Sequence, residues 1–201
     1  FLPEKFGKPG QAWEIEVARV EQFLKQFHTG ASMKLQAPGR RGGPNGGFGV
    51  LRAISDERIE IVARVHAEIL LSPGSYVTPA YFECRLLIDR SESRVTAFSL
   101  ALPNDIGLNV TLTAILPTEA LIDIVYLDHM QSVGGEVAEL EPDDAQTGIS
   151  IEDARQRLKA MFYRFQEIAW VKPEQAVEEA RKQNRPILAI VLWGDLDDQS
   201  C

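Results

Sequence analysis

Residues 58–71 alternate between apolar and mostly polar side chains, and this pattern restricts the possible folds more than any other. The apolar positions are all an even number of residues apart; they are Ile59, Ile61, Ala63, Val65, Ala67, Ile69 and Leu71. A period of two places them on one face of a β-strand, with Arg58, Glu60, Arg64, His66 and Glu68 on the other. One apolar face and one charged face are typical of a half-buried strand in an antiparallel sheet.

The same alternation returns further along the chain. It covers residues 82–88, 95–102, 108–116 and 121–127, and turn-forming residues such as Pro73-Gly74 separate the runs. Five or six strands at this spacing predict a β-sandwich or barrel-like domain over residues 48–148. Within this domain Cys84 falls on the apolar face, so we expect a small buried hydrophobe there.

Residues 1–47 are predicted to hold an N-terminal helix and a glycine-rich loop. Trp13, Val17, Val20, Leu24 and Phe27 recur at spacings of four and three, which predicts an amphipathic helix over residues 11–27. The loop, residues 38–49, contains eight glycines and prolines but lacks the Gly-Lys-Ser/Thr ending of a phosphate-binding loop. A connection or a wide turn is the expected role of the loop.

The pattern changes again after an acidic, loop-like stretch that ends near residue 148. Ser150 is predicted to cap a helix, and Pro173 to begin a second helix that stops before Pro186. Residues 187–193 are apolar without alternation, which is typical of a central parallel strand covered on both faces. Helix, break, buried strand and a loop with a cysteine predict the first half of a thioredoxin-like α/β domain over residues 149–201. The whole chain is therefore predicted to be α+β.

Cys201 is the candidate reactive residue. A thiol at the N-terminus of the helix after such a strand meets the positive end of the helix dipole, which favours the thiolate. Asp195, Asp197 and Asp198 lie close in sequence and would oppose a further negative charge. These residues alone leave open whether Cys201 is a redox thiol or a bystander, since no Cys-x-x-Cys pair is present.

The segment Leu192-Trp-Gly-Asp-Leu-Asp-Asp-Gln-Ser-Cys201 resembles the stretch that leads into the Ser-Cys-selenocysteine-Gly motif of the selenoprotein N family. Five further segments resemble the family: Ala63-Arg-Val-His-Ala-Glu68, Thr78-Pro-Ala-Tyr-Phe82, Leu102-Pro-Asn104, Leu108-Asn-Val110 and Gln166-Glu-Ile-Ala-Trp-Val171. The resemblance thus runs from about residue 60 to the end. It implies a selenocysteine, or a cysteine in its place, at the position after Cys201.

The resemblance implies a thiol–disulfide oxidoreductase that reduces protein disulfides through adjacent Cys201 and selenocysteine, with Trp193 and Ser200 shaping the loop. The alternative is a redox-responsive regulator whose pair acts as a sensor and whose main work is to bind a partner protein. Apart from the selenocysteine, no cofactor is expected. The β-rich part is expected to select the partner or to build a homodimer. Animal members of the family are linked to calcium handling and to the endoplasmic reticulum membrane.

Composition excludes several other classes of function. A net charge of −8 argues against nucleic-acid binding, and two cysteines cannot form a disulfide framework. No stretch of about 20 apolar residues is present, so a membrane link would need an anchor ahead of residue 1, and the compartment stays open. No His, Cys or carboxylate spacing predicts a metal site, and His66 is expected to be an ordinary surface residue. Asn109-Val-Thr111 matches a glycosylation sequon but lies within a strand pattern.

Overall fold

The computed structural model of this chain describes residues 2–3, 5–25, 32–33, 46–115, 120–136, 148–163 and 168–190. Over these residues the chain forms eleven β-strands and three α-helices, and every pair of neighbouring strands is antiparallel. The prediction of an α+β chain with an antiparallel, β-rich part is confirmed.

Six strands form the large sheet, in the spatial order β1-β3-β4-β7-β8-β11. Their bounds are Ala12–Ile15 (β1), Gly46–Ile54 (β3), Arg58–His66 (β4), Phe82–Asp89 (β7), Arg94–Ala101 (β8) and Gln131–Gly135 (β11). β4 and β7 lie at the centre of this sheet. The side chains on the two faces of β4 and β7 therefore determine which elements pack against the sheet.

Five strands form the small sheet, in the order β10-β9-β6-β5-β2. Their bounds are Ser32–Met33 (β2), Ile69–Ser72 (β5), Ser75–Pro79 (β6), Val110–Ile115 (β9) and Ala120–Val125 (β10). The single strand predicted over residues 58–71 is wrong, because the chain leaves the large sheet after His66 and enters the small sheet at Ile69. The apolar alternation continues across this break because both strands contribute to the same core.

The two sheets enclose one hydrophobic core. Leu51, Ile61 and Cys84 contribute to it from the large sheet, and Ile69 and Val110 from the small sheet. Burial of apolar surface of this kind is the main favourable term in folding. Cys84 is fully buried in this cluster, as its place in the alternation predicts.

The N-terminal segment differs from the single helix predicted over residues 11–27. Ala12–Ile15 pairs with β3 at the edge of the large sheet, and helix α1 occupies Val17–Leu24. Ile15, Val20 and Leu24 are buried in the same core as the two sheets. The predicted helical spacing therefore holds for Val20 and Leu24, which lie in α1, whereas Trp13 lies in β1.

Helix α2, Ile151–Phe162, covers the other face of the large sheet. Its buried residues Ala154 and Leu158 pack against Val50 of β3 and Val62 of β4. The helix begins as predicted, since the side chain of Ser150 accepts a hydrogen bond from the backbone N–H of Asp153 at 3.0 Å. Helix α2 packs on β3 and β4. The same face of the sheet over the neighbouring strands β7 and β8 therefore forms a recess beside the helix.

Helix α3, Pro173–Gln183, has no buried residues. It starts at Pro173 as predicted and ends at Asn184, whose backbone is left-handed with φ 50°. The buried strand predicted from residue 187 is wrong for residues 187–190, which have no regular secondary structure, and Leu188 is 76% exposed. A strand needs a neighbour for its N–H and C=O groups, and no strand of the described part lies beside these residues.

Candidate functional site

The predicted redox loop lies outside the described residues. Trp193, Ser200 and Cys201 all fall in residues 191–201, so their predicted roles stay predictions. The acidic stretch 137–147 and most of the glycine-rich loop also lie outside the described part. The structure instead defines the surroundings of the other cysteine and an unexpected group of polar side chains on the large sheet.

Cys84 has the environment of an inert thiol. It is completely buried, and burial is the main cause that raises its pKa to about 12, with a further contribution from the Glu83 carboxylate. The thiolate is the form that attacks disulfides, and this environment suppresses the thiolate at neutral pH. Cys84 is therefore a packing residue of the core.

His66 was predicted to be a surface residue, and this prediction is wrong. Its side chain is fully buried, and its ring stacks on Phe162 of α2 with 3.8 Å between centroids and 16° between planes. Arg64 Nε donates to His66 Nε2 at 2.8 Å. Because Nε2 accepts this bond, the imidazole is neutral and carries its proton on Nδ1.

Arg64 also lies under the C-terminal end of α2. The guanidinium carbon of Arg64 is 3.7 Å from the centre of the Tyr81 ring, a cation–π distance. Arg64 as a whole is 6% exposed. Burial is the main cause that raises the pKa of Tyr81 to about 12, while the nearby Arg64 charge acts in the opposite direction. Arg64, His66 and Tyr81 thus form a stacked cation–aromatic group between sheet and helix.

A second polar group is centred on Glu60, which is 7% exposed. Glu60 Oε2 accepts from Arg52, and Oε1 accepts from Arg85 Nη2 at 2.8 Å. Arg52 reaches this position because the register of β3 and β4 shifts between Leu51 and Ala53, which makes Arg52 the extra residue of a β-bulge. One carboxylate therefore accepts from two guanidinium groups.

A cavity of about 480 Å³ opens beside α2, on the part of the sheet face that the helix leaves uncovered. Its floor is formed by Glu83 and Arg85 of β7 and by Ser99 and Ala101 of β8, and Arg155 of α2 forms one wall. The remaining lining residues are Tyr81, Leu102, Pro103, Asn104 and Asp105. Volumes of this size accommodate small organic ligands.

The wall of the cavity is held by a two-point ion pair. Arg155 donates to Glu83 through Nε at 2.6 Å and through Nη2 at 2.9 Å. This hydrogen bonding is the main cause that raises the pKa of Arg155 above its ordinary value. A two-point contact fixes the orientation of both side chains as well as the distance between them. The pair therefore links α2 to β7.

Sequence reasoning missed both polar groups because it assigned alternate residues of β4 to solvent. One feature of the sequence does indicate that the polar face of β4 is partly covered. Val62 interrupts the polar side of the alternation between Glu60 and Arg64, and the apolar stripe of α2 requires a surface to pack on. A valine on an otherwise charged strand face predicts partial cover of that face.

Three further predictions concern binding and modification. Asn109 is buried, and its side chain bonds the carbonyls of Pro103 and Leu127 and the N–H of Leu127, so its amide is engaged in packing rather than presented for glycosylation. Among the described residues, no three His, Cys, Asp or Glu side chains come together as metal ligands. Over the same residues, no helix combines the length and the apolar character that crossing a membrane requires.

Comparison with known proteins identifies relatives over most of the chain. Selenoprotein N from human is 27% identical over 215 aligned positions that cover 90% of this chain, and selenoprotein N from zebrafish (Danio rerio) and mouse (Mus musculus) is 26% identical over the same share. This chain is related to selenoprotein N. The aligned region makes up 36–38% of each selenoprotein N, so the chain spans little more than a third of the length of these relatives.

Two further comparisons found no match. No protein-family model matches the chain, and no solved structure matches it. The relation to selenoprotein N therefore rests on sequence similarity that extends well beyond the Ser-Cys end of the chain.

Proposed function

We propose that this chain is part of a selenoprotein N-like thiol–disulfide oxidoreductase in which Cys201 is one of two reactive chalcogens. The burial of Cys84 is the structural observation that carries the proposal. The sequence contains two cysteines, and Cys84 is buried with a pKa raised to about 12. Of the two cysteines, Cys201 is therefore the one that we propose to react at neutral pH.

The proposed reaction uses Cys201 together with a selenocysteine, or a cysteine, at the next position. A selenol ionises more readily than a thiol, so the selenolate attacks the substrate disulfide and releases one substrate thiolate. Cys201 then attacks the mixed bond, releases the second substrate thiol and closes a bond between the adjacent chalcogens. A reductant of the dithiol class returns this bond to its starting state.

The proposed fold around Cys201 is the first half of a thioredoxin-like domain. A cysteine at the start of a helix gains from the positive end of the helix dipole, which stabilises the thiolate. Of the elements predicted for that domain, helix α3 is present before residue 187, whereas α2 packs on the large sheet and residues 187–190 have no regular secondary structure. Trp193 and Ser200 are proposed to shape the loop before Cys201.

The experiment is a turnover assay on the protein that carries the residue following Cys201, with a protein disulfide as substrate and dithiothreitol as reductant. Cys201→Ser is expected to slow turnover strongly, because the mixed intermediate is then resolved only by dithiothreitol in an intermolecular step. Cys84→Ala is the matched control, since it removes the buried thiol and is expected to keep turnover. Turnover that keeps the wild-type rate in Cys201→Ser, or that is lost in a correctly folded Cys84→Ala variant, would contradict the proposal.

A second candidate function is a redox-responsive binding protein. It is favoured by a series of exposed apolar side chains in residues 168–190, which include Trp170 at 47% and Leu188 at 76% exposure. Such residues are frequent at protein–protein interfaces. A sensor is oxidised once and then changes its affinity for a partner, whereas a reductase cycles for as long as reductant is supplied. The same turnover assay therefore separates the two functions.

A further inference from the structure

The contact between α2 and the large sheet contains a titratable side chain that the redox proposal does not use. His66 is the last residue of β4 and is fully buried. The rings that lie against it from α2 belong to Phe162 and Tyr163, at the C-terminal end of the helix, and both residues are buried. Lifting the end of α2 from the sheet would therefore expose the imidazole to water.

The hydrogen bond between Arg64 and His66 exists in one protonation state only. Arg64 Nε donates to His66 Nε2 at 2.8 Å. A guanidinium keeps its protons in proteins, so Nε2 accepts only while it carries no proton of its own. A proton on Nε2 would set two N–H donors against each other and place two positive charges side by side in a buried space. The closed arrangement therefore selects the neutral imidazole.

The charged side chains that the described part of the sheet places around His66 do not offset a second positive charge. Glu83 of β7 lies opposite Arg64 in the strand pairing, but both oxygens of Glu83 accept from Arg155 of α2. Glu68, two residues beyond β4, accepts from a threonine hydroxyl of β6 at 3.5 Å. These carboxylates are therefore engaged with other donors.

The other elements that pack against His66 contribute aromatic rings and a further cation. Tyr81, between β6 and β7, stacks on the imidazole with 6.3 Å between centroids, and burial raises its pKa to about 12, so its phenol is neutral. The last turn of α2 contains Lys159, whereas Glu152 and Asp153 lie in the first turn. A proton on His66 therefore adds a cation to surroundings that are already positive.

We propose that His66 and the end of α2 form a pH-sensitive switch, in which protonation of the imidazole releases the C-terminal end of α2 from the large sheet. A free imidazole takes up a proton near about pH 6.5. After release the imidazole is in water and holds this proton, so the open form binds more protons than the closed one. The closed form is therefore favoured above about pH 6.5 and is lost as the pH falls below that value.

The switch would act on the attachment of the residues that follow α2. Among the described elements α2 is the last that packs on the sheets, because α3 has no buried residues. Release of its end would free the chain from residue 163 onward. The inference depends on the contacts of His66 and not on the chemistry of Cys201, so either proposal can fail without the other.

The test is hydrogen exchange at about pH 7.5 and about pH 5.5, with rates corrected for the pH dependence of exchange in unstructured peptides. Free carboxyl groups titrate near about pH 4, so they stay charged over this interval. The protection of the last turn of α2 is expected to fall by up to about tenfold, while that of β7 stays constant. Unchanged protection of α2, or an equal fall in β7, would overturn the proposal.

Two variants assign the effect to one histidine. His66→Gln places an amide oxygen where Arg64 can still donate but has no group that titrates in this interval, so its α2 is expected to keep the same protection at both pH values. His129→Gln is the matched control, since His129 is exposed, and is expected to behave as the wild-type protein does. A fall in His66→Gln as large as that of the wild-type protein would exclude His66 as the switch.

A second measurement uses the wild-type protein and does not depend on the folding of a variant. The nitrogen-15 chemical shift of His66 Nε2 distinguishes a protonated from an unprotonated ring nitrogen. At about pH 7.5 it is expected to be that of an unprotonated nitrogen that accepts a hydrogen bond. A protonated Nε2 at this pH would show that the closed form does not select the neutral imidazole, and would contradict the switch.

Discussion

At the scale of single residues, burial separates side chains that look equivalent in the sequence. Glu60 lies in β4 and Glu92 in the turn between β7 and β8, and each is paired with arginine, yet Glu60 is 8% exposed at its side chain and Glu92 is 58% exposed. The strength of an ion pair depends on how much water surrounds it. The two residues therefore provide a matched comparison.

Glu60→Ala is expected to lower the free energy of unfolding by about 3–5 kcal/mol, because it removes the carboxylate that accepts from both Arg52 and Arg85 inside the protein. Glu92→Ala removes an exposed pair and is expected to change the free energy by no more than about 0.5 kcal/mol. Urea denaturation measures both. Equal losses of unfolding free energy in the two variants would show that water reaches Glu60 on the sheet face under α2.

Cys84 predicts a dependence of stability on alkaline pH. The pKa of its thiol is about 12 in the folded protein, above the value of a free thiol, so above about pH 8.5 the unfolded chain holds fewer protons than the folded one. Stability from this group is complete below that pH and falls as the pH rises toward 12, by at most about 1.4 kcal/mol per pH unit.

The measurement is urea denaturation of the wild-type protein and of Cys84→Ala between pH 8 and 10. The wild-type protein is expected to lose stability more steeply than the variant above the pKa of a free thiol. Parallel losses in the two proteins would contradict the burial of an un-ionised thiol at this position.

At the scale of elements, helix α2 owes its place to the large sheet. Leu158 is 1% exposed and packs with Val50 and Val62. Leu158→Ala is expected to cost about 2–5 kcal/mol of unfolding free energy, because it leaves a cavity under the helix. Val177→Ala in α3 is the control, since Val177 is 49% exposed and its loss is expected to stay within about 0.5 kcal/mol. Comparable losses would mean that α3 is packed as tightly as α2.

The positions of the strands and helices show which elements a local sequence pattern can predict. The period-two pattern located β4 and β7–β10, and the Ser150 cap and Pro173 located the starts of α2 and α3. The pattern missed the break between β4 and β5, because both strands turn their apolar side toward one core. It also missed β11, whose glycines 134 and 135 look like a loop although they pair with β8. Pairing partners are tertiary information that local patterns do not carry.

The candidate sites also include features that a local sequence pattern predicts and features that depend on tertiary packing. The role of Cys84 follows from its place in an alternating strand, and the structure confirms it. The burial of Arg64 and His66 required knowledge of where α2 packs, since the same polar residues on an uncovered face would meet water. The cavity depends on separate parts of the chain, β7, β8, α2 and residues 102–105 among them, and no single stretch of sequence encodes it.

At the scale of the whole molecule, tight packing is concentrated in the two sheets, α1 and α2. The described residues after 167 have few apolar contacts, and α3 has no buried side chain. Regions with few buried contacts open at low free energy. In hydrogen exchange, the amides of α3 are therefore expected to exchange much faster than those of β4. Protection of α3 equal to that of β4 would show that another surface covers this helix in solution.

The central claim is that thiol chemistry belongs to Cys201 and not to Cys84. It is tested most directly by adding iodoacetamide to the native reduced protein at neutral pH and following each cysteine by mass spectrometry. We expect Cys201 to be alkylated rapidly, and Cys84 to stay unmodified until the protein is unfolded, because the core excludes the reagent and keeps the Cys84 thiol protonated. Alkylation of native Cys84 at a rate equal to or above that of Cys201 would contradict the account.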